Sequence, residues 1–166
     1  YKWYSQKDFT WNGITQGNRN GLLYRDPSVD GMKTGHTDAA GYCLVSSARR
    51  DGMRLIAVVM GMKSPKARED ASLALLNYGF GFYETKRLFG AGQELAKPRV
   101  YGAPDGVGAV GLKREFSLTL PRGRAADVKT TVTVKPGLEA PLAANHNHLG
   151  TASGGHATGD ELTKIE

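Results

Sequence analysis

The chain has 166 residues, of which 40% are hydrophobic and 23% are charged. These values are typical of one medium globular domain or of two small ones. The longest apolar run, residues 55–61, is well short of the roughly 18 residues that a membrane-spanning helix needs. The net charge of +6 comes from basic residues scattered along the chain. No zinc-finger spacing or basic helix accompanies them, so nucleic-acid binding is not expected.

An antiparallel hairpin is predicted in the first half of the chain. Residues 41–48 and 53–62 are rich in apolar and β-branched side chains, as buried strands are. Arg50, Asp51 and Gly52 lie between them, and the glycine supplies the positive φ that a tight turn requires. The near-continuous apolar character of residues 53–62 predicts a strand that is covered on both faces.

A long helix is predicted after this hairpin. Ser64 offers a capping hydroxyl, and Pro65 suits the first helical position. Apolar residues then recur at helical spacing in two stripes. The first stripe comprises Ala67, Ala71, Leu75, Tyr78 and Phe82, and the second comprises Leu73, Leu76, Phe80 and Tyr83. We expect both stripes to be buried, with the aromatic residues in core or inter-domain packing rather than in a ligand stack.

The sequence pattern changes after about residue 85. Residues 115–120 and 128–134 alternate apolar and polar side chains, which is typical of half-buried antiparallel strands. We therefore predict an α+β domain over residues 1–85, built from an antiparallel sheet and a packed helix. A small all-β sandwich domain over residues 86–166 follows it.

The last part of the chain shows no clear element. The alternation fades from about residue 143, and no strand is predicted there. His146 and His148 are spaced to lie on one strand face, and His156 follows, so a metal site is one interpretation. No Cys or carboxylate lies at a suitable spacing, which favours solvated histidines, and neither a metal nor another cofactor is expected.

Lys33, Thr34 and Gly35 form the triplet that carries the most chemical information. They come just before the apolar hairpin, where they can lie on an exposed sheet edge. A lysine ammonium and a threonine hydroxyl can hold a carboxylate together, and a glycine lets a peptide backbone lie close along the strand. His36 then offers a backbone N–H suited to an oxyanion. The alternative is an ordinary exposed lysine at the start of a strand.

The triplet resembles the K-T-G box of penicillin-recognising serine enzymes. The surrounding sequence is similar to the low-molecular-weight D-alanyl-D-alanine carboxypeptidases of that group. The similar segments are residues 9–14, 18–23, 29–37, 40–42 and 53–59. Residues 85 to about 142 are similar to the small β-domain that follows the peptidase domain in this family.

The resemblance implies a fold and a reaction. The fold is a β-lactamase-like peptidase domain with a five-stranded antiparallel sheet, followed by a β-sandwich. The reaction removes the terminal D-Ala from peptidoglycan pentapeptides through an acyl-enzyme, and penicillin acylates the same serine. The expected partners are therefore the peptidoglycan stem peptide and β-lactams, in the periplasm or at the outer face of the cytoplasmic membrane.

Several residues match the positions that bind substrate in this family. Lys33 becomes the catalytic and substrate-binding lysine, and Thr34, Gly35, His36 and Thr37 line the same site. Arg68, early in the predicted helix, matches an arginine near the carboxylate, and Arg19 matches another beside the cleft. Both are alternatively ordinary surface residues. An arginine suits a carboxylate because its planar fork donates two parallel hydrogen bonds.

The chain also departs from the family pattern. It contains no S-x-x-K box and no S-x-N box, so the nucleophile would lie before Tyr1. We expect a C-terminal part of the enzyme that is inactive alone, without the family's C-terminal membrane anchor. The competing hypothesis is a non-catalytic envelope spacer or interaction module. A β-lactamase relative is a third possibility, which the trailing β-domain argues against.

Overall fold

The computed structural model describes residues 1–140 with their side chains and the backbone of residues 150–154 and 160–164. The chain divides into two compact units, Tyr1–Tyr83 and Glu84–Glu166. Among the described residues, no helix is long and apolar enough to cross a membrane. The units are described separately below.

The first unit contains two helices and five strands in an α+β arrangement. In chain order its elements are β1 (Asp8–Trp11), β2 (Ile14–Gly17), α1 (Leu22–Arg25), β3 (Val29–Thr37), β4 (Gly41–Arg50), β5 (Met53–Met62) and α2 (Pro65–Phe82). Strands β1 and β2 form a separate hairpin. Strands β3, β4 and β5 form one antiparallel sheet in that order, so β3 and β5 are its edges in the described part of the chain.

The predicted hairpin of β4 and β5 is confirmed. Its register pairs Arg50 with Met53 and Arg49 with Arg54, which leaves a two-residue turn. Asp51 and Gly52 both have positive φ, 48° and 81°. Because two left-handed residues match the right-handed twist of the strands, this turn suits a tight hairpin.

Helix α2 starts where the sequence predicts. The Ser64 side chain accepts a hydrogen bond from the amide of Ala67, and Pro65 is the first helical residue. The helix runs through Gly79, where an added Cβ would lie 2.4 Å from the Leu55 side chain. The glycine therefore allows a close approach of the helix to β5.

One face of α2 is buried against the sheet. That face consists of Arg68, Ser72, Leu76 and Phe80. The second predicted stripe is thus partly correct, while the first is wrong, because Leu75, Tyr78 and Phe82 are 50–61% exposed. The two stripes together span too wide an arc for a helix that packs on a sheet with one side only.

The core of the first unit lies between α2, α1 and one sheet face. Its buried residues are Leu22, Leu23, Val29, Leu44, Ala48, Met53, Ala57, Leu76 and Phe80. Arg50 contributes by stacking its guanidinium over the Phe80 ring, 4.6 Å from the ring centroid. Burial of a Leu or Phe side chain of this kind stabilises the fold by about 1.5–3 kcal/mol.

The opposite sheet face is uncovered in the described residues. Ile56, Val58 and Met60 alternate along β5 and are 60%, 56% and 69% exposed. The prediction that β5 is covered on both faces is therefore wrong for this chain. Helix α2 covers one face alone, and the apolar side chains of the other face meet solvent.

In its described residues, the second unit is all β apart from one short 3-10 turn, Ala125–Asp127. Its strands are β6 (Tyr83–Phe89), β7 (Glu94–Ala96), β8 (Val100–Tyr101), β9 (Val110–Leu112), β10 (Phe116–Pro121), β11 (Thr130–Val134), β12 (Leu138–Glu139), β13 (Gly150–Gly154) and β14 (Asp160–Lys164). Five of them form a sheet in the order β11-β13-β14-β9-β7, and β10 pairs with β6, β12 with β8. Two apolar clusters, one around Val110 and one around Phe116, make up its core.

The sequence predicted no strand in the C-terminal tail, and the structure contains two there. Strand β13 pairs with β11, and β14 pairs with both β13 and β9. The segment is rich in Gly, Ser and Thr, so its short strands lack the apolar alternation that sequence reasoning uses. His146, His148 and His156, the residues of the metal-site alternative, lie outside the described residues.

Candidate functional site

Strand β3 places the whole K-T-G segment on a sheet edge. Lys33 pairs with Val45, Thr34 with Leu44 and Gly35 with Cys43. In the described residues, β3 has only β4 as a neighbour in its sheet. The other side of the strand therefore meets the requirement for adding an extended peptide by backbone pairing.

Lys33 provides an exposed cation on this edge strand. Its side chain is exposed, and its Nζ donates a hydrogen bond of 2.8 Å to the Thr34 carbonyl oxygen. None of the ion pairs among the described residues involves Lys33. A carboxylate ligand would replace one neutral acceptor with a charged one, which makes a stronger hydrogen bond.

Gly35 leaves a gap in the side chains along the strand. An added Cβ would have only the Cys43 Cβ near it, at 3.9 Å, which is ordinary van der Waals contact. Local packing therefore does not require a glycine at this position. What the glycine provides is an exposed stretch of backbone that another backbone can approach closely.

His36 and Tyr42 lie on the opposite face of the sheet from Lys33. Their rings stack with centroids 3.9 Å apart, across the pairing of β3 with β4. The Arg68 guanidinium lies over the Tyr42 ring, 5.7 Å from its centroid. This stack holds the end of β3 in place through aromatic and cation–π contacts.

Arg68 is buried, with 6% of its surface exposed. Its Nη1 lies 3.4 Å from the carbonyl oxygens of both Gly35 and Cys43, and its Nη2 lies 3.0 Å from that of Arg19. The structure thus brings the predicted residues Arg68, Gly35 and Arg19 together. It places the Arg68 side chain among backbone carbonyls, and its role in binding a carboxylate stays a prediction.

The loop before α1 brings Arg19 to the site with an exposed side chain. The loop is held by Asn20, which is 1% exposed, donates to the Gly31 carbonyl at 3.0 Å and accepts from the Leu22 amide. Asn18 in turn accepts a hydrogen bond from the Asn20 amide. Sequence reasoning did not select these two asparagines, although both lie in a segment that resembles the family.

Two ion pairs, Arg54 with Asp30 and Arg50 with Asp26, lie at the beginning of β3. Arg54 pairs with Asp30 at 2.8 Å, and its hydrogen bond, together with one from Tyr1, lowers the pKa of the Asp30 carboxyl. Burial opposes ionisation of Asp26, but hydrogen bonds from Ser28 and Arg50 outweigh it and lower the Asp26 pKa. Both carboxylates are thus held in their charged form beside the strand.

The described residues contain no group of three or more His, Cys, Asp or Glu side chains that could hold a metal ion. The groups that this strand edge presents are a lysine ammonium, a hydroxyl and backbone groups. Such a set suits the binding of a peptide that ends in a carboxylate. In general, an extended peptide can pair with an edge strand, and a cation can bind its acidic end.

Comparison with known proteins identifies the class to which this fold belongs. The family model for D-alanyl-D-alanine carboxypeptidase matches residues 1–64, and the model for the C-terminal domain of penicillin-binding protein 5 matches residues 83–153. The chain has the domain combination of a penicillin-binding protein. It belongs to the family of D-alanyl-D-alanine carboxypeptidases, as its resemblance indicated.

Individual relatives agree with this assignment. The chain is 46% identical over 147 residues to the D-alanyl-D-alanine carboxypeptidase DacA of Escherichia coli, covering 87% of this chain and 36% of the relative. Its identity to the corresponding enzyme of Haemophilus influenzae is 46% over 145 residues, covering 86% and 37%. The crystal structure of penicillin-binding protein 5 from Haemophilus influenzae matches with a TM-score of 0.82 at 40% identity, covering 99% of this chain and 49% of that one.

The similarity confirms the predicted fold class, with an antiparallel sheet and packed helix followed by an all-β unit. The chain spans only about a third of the length of the curated relatives it matches, 36% for the Escherichia coli enzyme. The activity of those whole enzymes is therefore a proposal for this chain.

Proposed function

We propose that this chain is part of a serine D-alanyl-D-alanine carboxypeptidase that removes the terminal D-Ala from peptidoglycan pentapeptides and binds penicillin. The observation that carries the proposal is the exposed Lys33 ammonium on an edge strand, followed by Thr34 and the side-chain-free Gly35. This arrangement occurs in a chain that belongs to the D-alanyl-D-alanine carboxypeptidase family.

In this proposal the stem peptide lies antiparallel to β3 and ends beside Lys33. The Lys33 ammonium and the Thr34 hydroxyl bind the terminal carboxylate, and Gly35 allows the two backbones to approach. The His36 amide contributes to the oxyanion site, and Thr37 and Arg19 line the cleft. β-Lactams occupy the same position because they present a carboxylate next to a reactive amide. Binding at a strand edge orients the scissile bond, which is a large part of catalysis.

The chain by itself is expected to be inactive. It contains no S-x-x-K sequence, and a binding edge without an activated nucleophile can bind a substrate but cannot form an acyl-enzyme. The proposal places the complete enzyme in the periplasm, at the outer face of the cytoplasmic membrane, where its substrate is found.

Labelling with a fluorescent penicillin tests this part of the proposal. We expect no covalent adduct on the 166-residue chain after denaturing electrophoresis. A longer protein, which includes the upstream part of the peptidase domain with its S-x-x-K sequence, should give an adduct that unlabelled penicillin prevents. An adduct on the 166-residue chain, or none on the longer protein, would contradict the proposal.

A second candidate function is a non-catalytic spacer or interaction module of the cell envelope. The observation that favours it is the absence of both nucleophile boxes from all 166 residues. The reading frame upstream of Tyr1 distinguishes the two. An open frame that encodes S-x-x-K and S-x-N supports the enzyme, whereas a start codon at this point supports the module.

A further inference from the structure

Arg68 is a buried cation without an acidic partner among the residues that the structure describes. The carboxylates that follow it on α2, Glu69 and Asp70, pair instead with Arg25, and Asp70 also pairs with Lys66. Burying a guanidinium is unfavourable unless hydrogen bonds compensate for its lost hydration. A leucine or methionine would fill the space without that cost, so the guanidinium group itself requires an explanation.

Its hydrogen bonds provide one, because they join three segments of backbone. Gly35 and Cys43 are cross-strand partners in β3 and β4, and one guanidinium nitrogen reaches both of their carbonyl oxygens. Cys43 lies opposite an irregularity of β5, where the register of the two strands shifts between the pairs Tyr42–Met62 and Leu44–Val59 and Gly61 has a positive φ of 73°. The guanidinium thereby supplies a donor to a carbonyl in an irregular part of the ladder.

The other terminal nitrogen reaches the loop before α1. Nη2 donates to the Arg19 carbonyl at 3.0 Å, and Asn20, the next residue, is bonded to the Gly31 carbonyl. The loop is therefore attached to β3 at two points, Gly31 through Asn20 and Gly35 through Arg68. The attachment at Gly35 depends on one side chain.

We propose that Arg68 is a positioning residue that fixes the Arg19 loop against the K-T-G segment of β3. The rigid fork of the guanidinium sets the spacing between the Gly35 and Arg19 carbonyls, which the single ammonium of a lysine cannot do. Arg68 acts on a ligand through the backbone that it holds, without touching it. That these two segments form the walls of a ligand site rests on the proposed function, whereas their attachment does not.

Hydrogen exchange of the full chain tests the attachment, using Arg68→Lys and a control variant on the same helix face, Leu76→Ala. Loss of one hydrogen bond to a charged group should speed local exchange by about 10-fold or more. We expect this increase in Arg68→Lys for residues 18–20 and 34–36 together, with β5 unchanged. Leu76→Ala should raise exchange throughout the first unit without selecting those segments. Wild-type exchange in either segment of Arg68→Lys, or the same pattern in both variants, would overturn the proposal.

Two further readouts complete the test, and the first of them does not require Arg68→Lys to fold. In the wild-type chain, NMR should show separate, slowly rotating Nη signals for Arg68 and averaged ones for the exposed Arg49, and averaged Arg68 signals would contradict the proposal. In a folded Arg68→Lys chain, the Kd for N-acetyl-D-alanyl-D-alanine should rise about 10-fold, and an unchanged Kd would refute the role in the ligand site. If the wild-type chain does not bind the dipeptide, the proposed function fails, while hydrogen exchange still decides on the attachment.

Discussion

Two adjacent leucines on α2 allow a direct test of which helix face is buried. Leu76 is 1% exposed within the core of the first unit, whereas Leu75 is 50% exposed. The change from leucine to alanine removes the same atoms at both positions and alters helix propensity equally little. Any difference between Leu76→Ala and Leu75→Ala therefore comes from burial.

The expected difference is large. A buried Leu→Ala change costs about 2–5 kcal/mol because transfer and cavity terms add, while a surface change usually costs no more than about 0.5 kcal/mol. At about 4–8 °C per kcal/mol for a unit of this size, Leu76→Ala should lower the Tm by at least about 8 °C.

Urea or thermal unfolding monitored by far-UV circular dichroism at 222 nm follows α2 and so provides the assay. We expect Leu75→Ala to unfold nearly with the wild type and Leu76→Ala to unfold much earlier. Equal losses of stability in the two variants would refute the assignment of the buried face. The buried face of α2 would then include Leu75, as the first predicted stripe does.

Three further predictions concern the sheet. Because Arg54 lowers the folded pKa of Asp30, that carboxylate stabilises the fold above its unfolded pKa of about 3.9, and the contribution is lost as the pH falls through the folded pKa. An NMR titration should show a higher Asp30 pKa in Arg54→Met, and an unchanged value would contradict this. Because an exposed apolar face promotes association, we expect the wild-type chain to self-associate in sedimentation experiments. Val58→Lys on the uncovered face should associate less, with a Tm close to that of the wild type, and unchanged association would exclude this face. Gly35→Ala should leave the free energy of unfolding within about 1 kcal/mol of the wild-type value yet weaken dipeptide binding. A large loss of stability would show that packing selects this glycine.

Sequence reasoning predicted the elements with strong local signals. The turn at Asp51 and Gly52 and the Ser64-Pro65 helix start are set by residues within a few positions, so backbone preference and capping identify them. The burial of individual α2 residues was not predictable in the same way. It depends on which side of the helix meets the sheet, and an apolar residue such as Leu75 does not reveal whether anything covers it.

The candidate site was predicted in part for the same reason. Lys33, Thr34 and Gly35 form a contiguous motif, and the sequence identified them together. The arrangement of Arg68 around carbonyls from Arg19 and Cys43 involves residues 25 to 49 positions away. Only the folded chain brings such distant residues together.

An NMR titration of the 166-residue chain with N-acetyl-D-alanyl-D-alanine tests the central claim most directly. The account predicts saturable shifts of the backbone amides of residues 33–37, much weaker shifts with the C-terminal amide of the same dipeptide, and their loss in Lys33→Met. Equal affinity for the acid and the amide, or shifts confined to other parts of the chain, would contradict the claim that Lys33 binds the carboxylate end of a peptide at this strand edge.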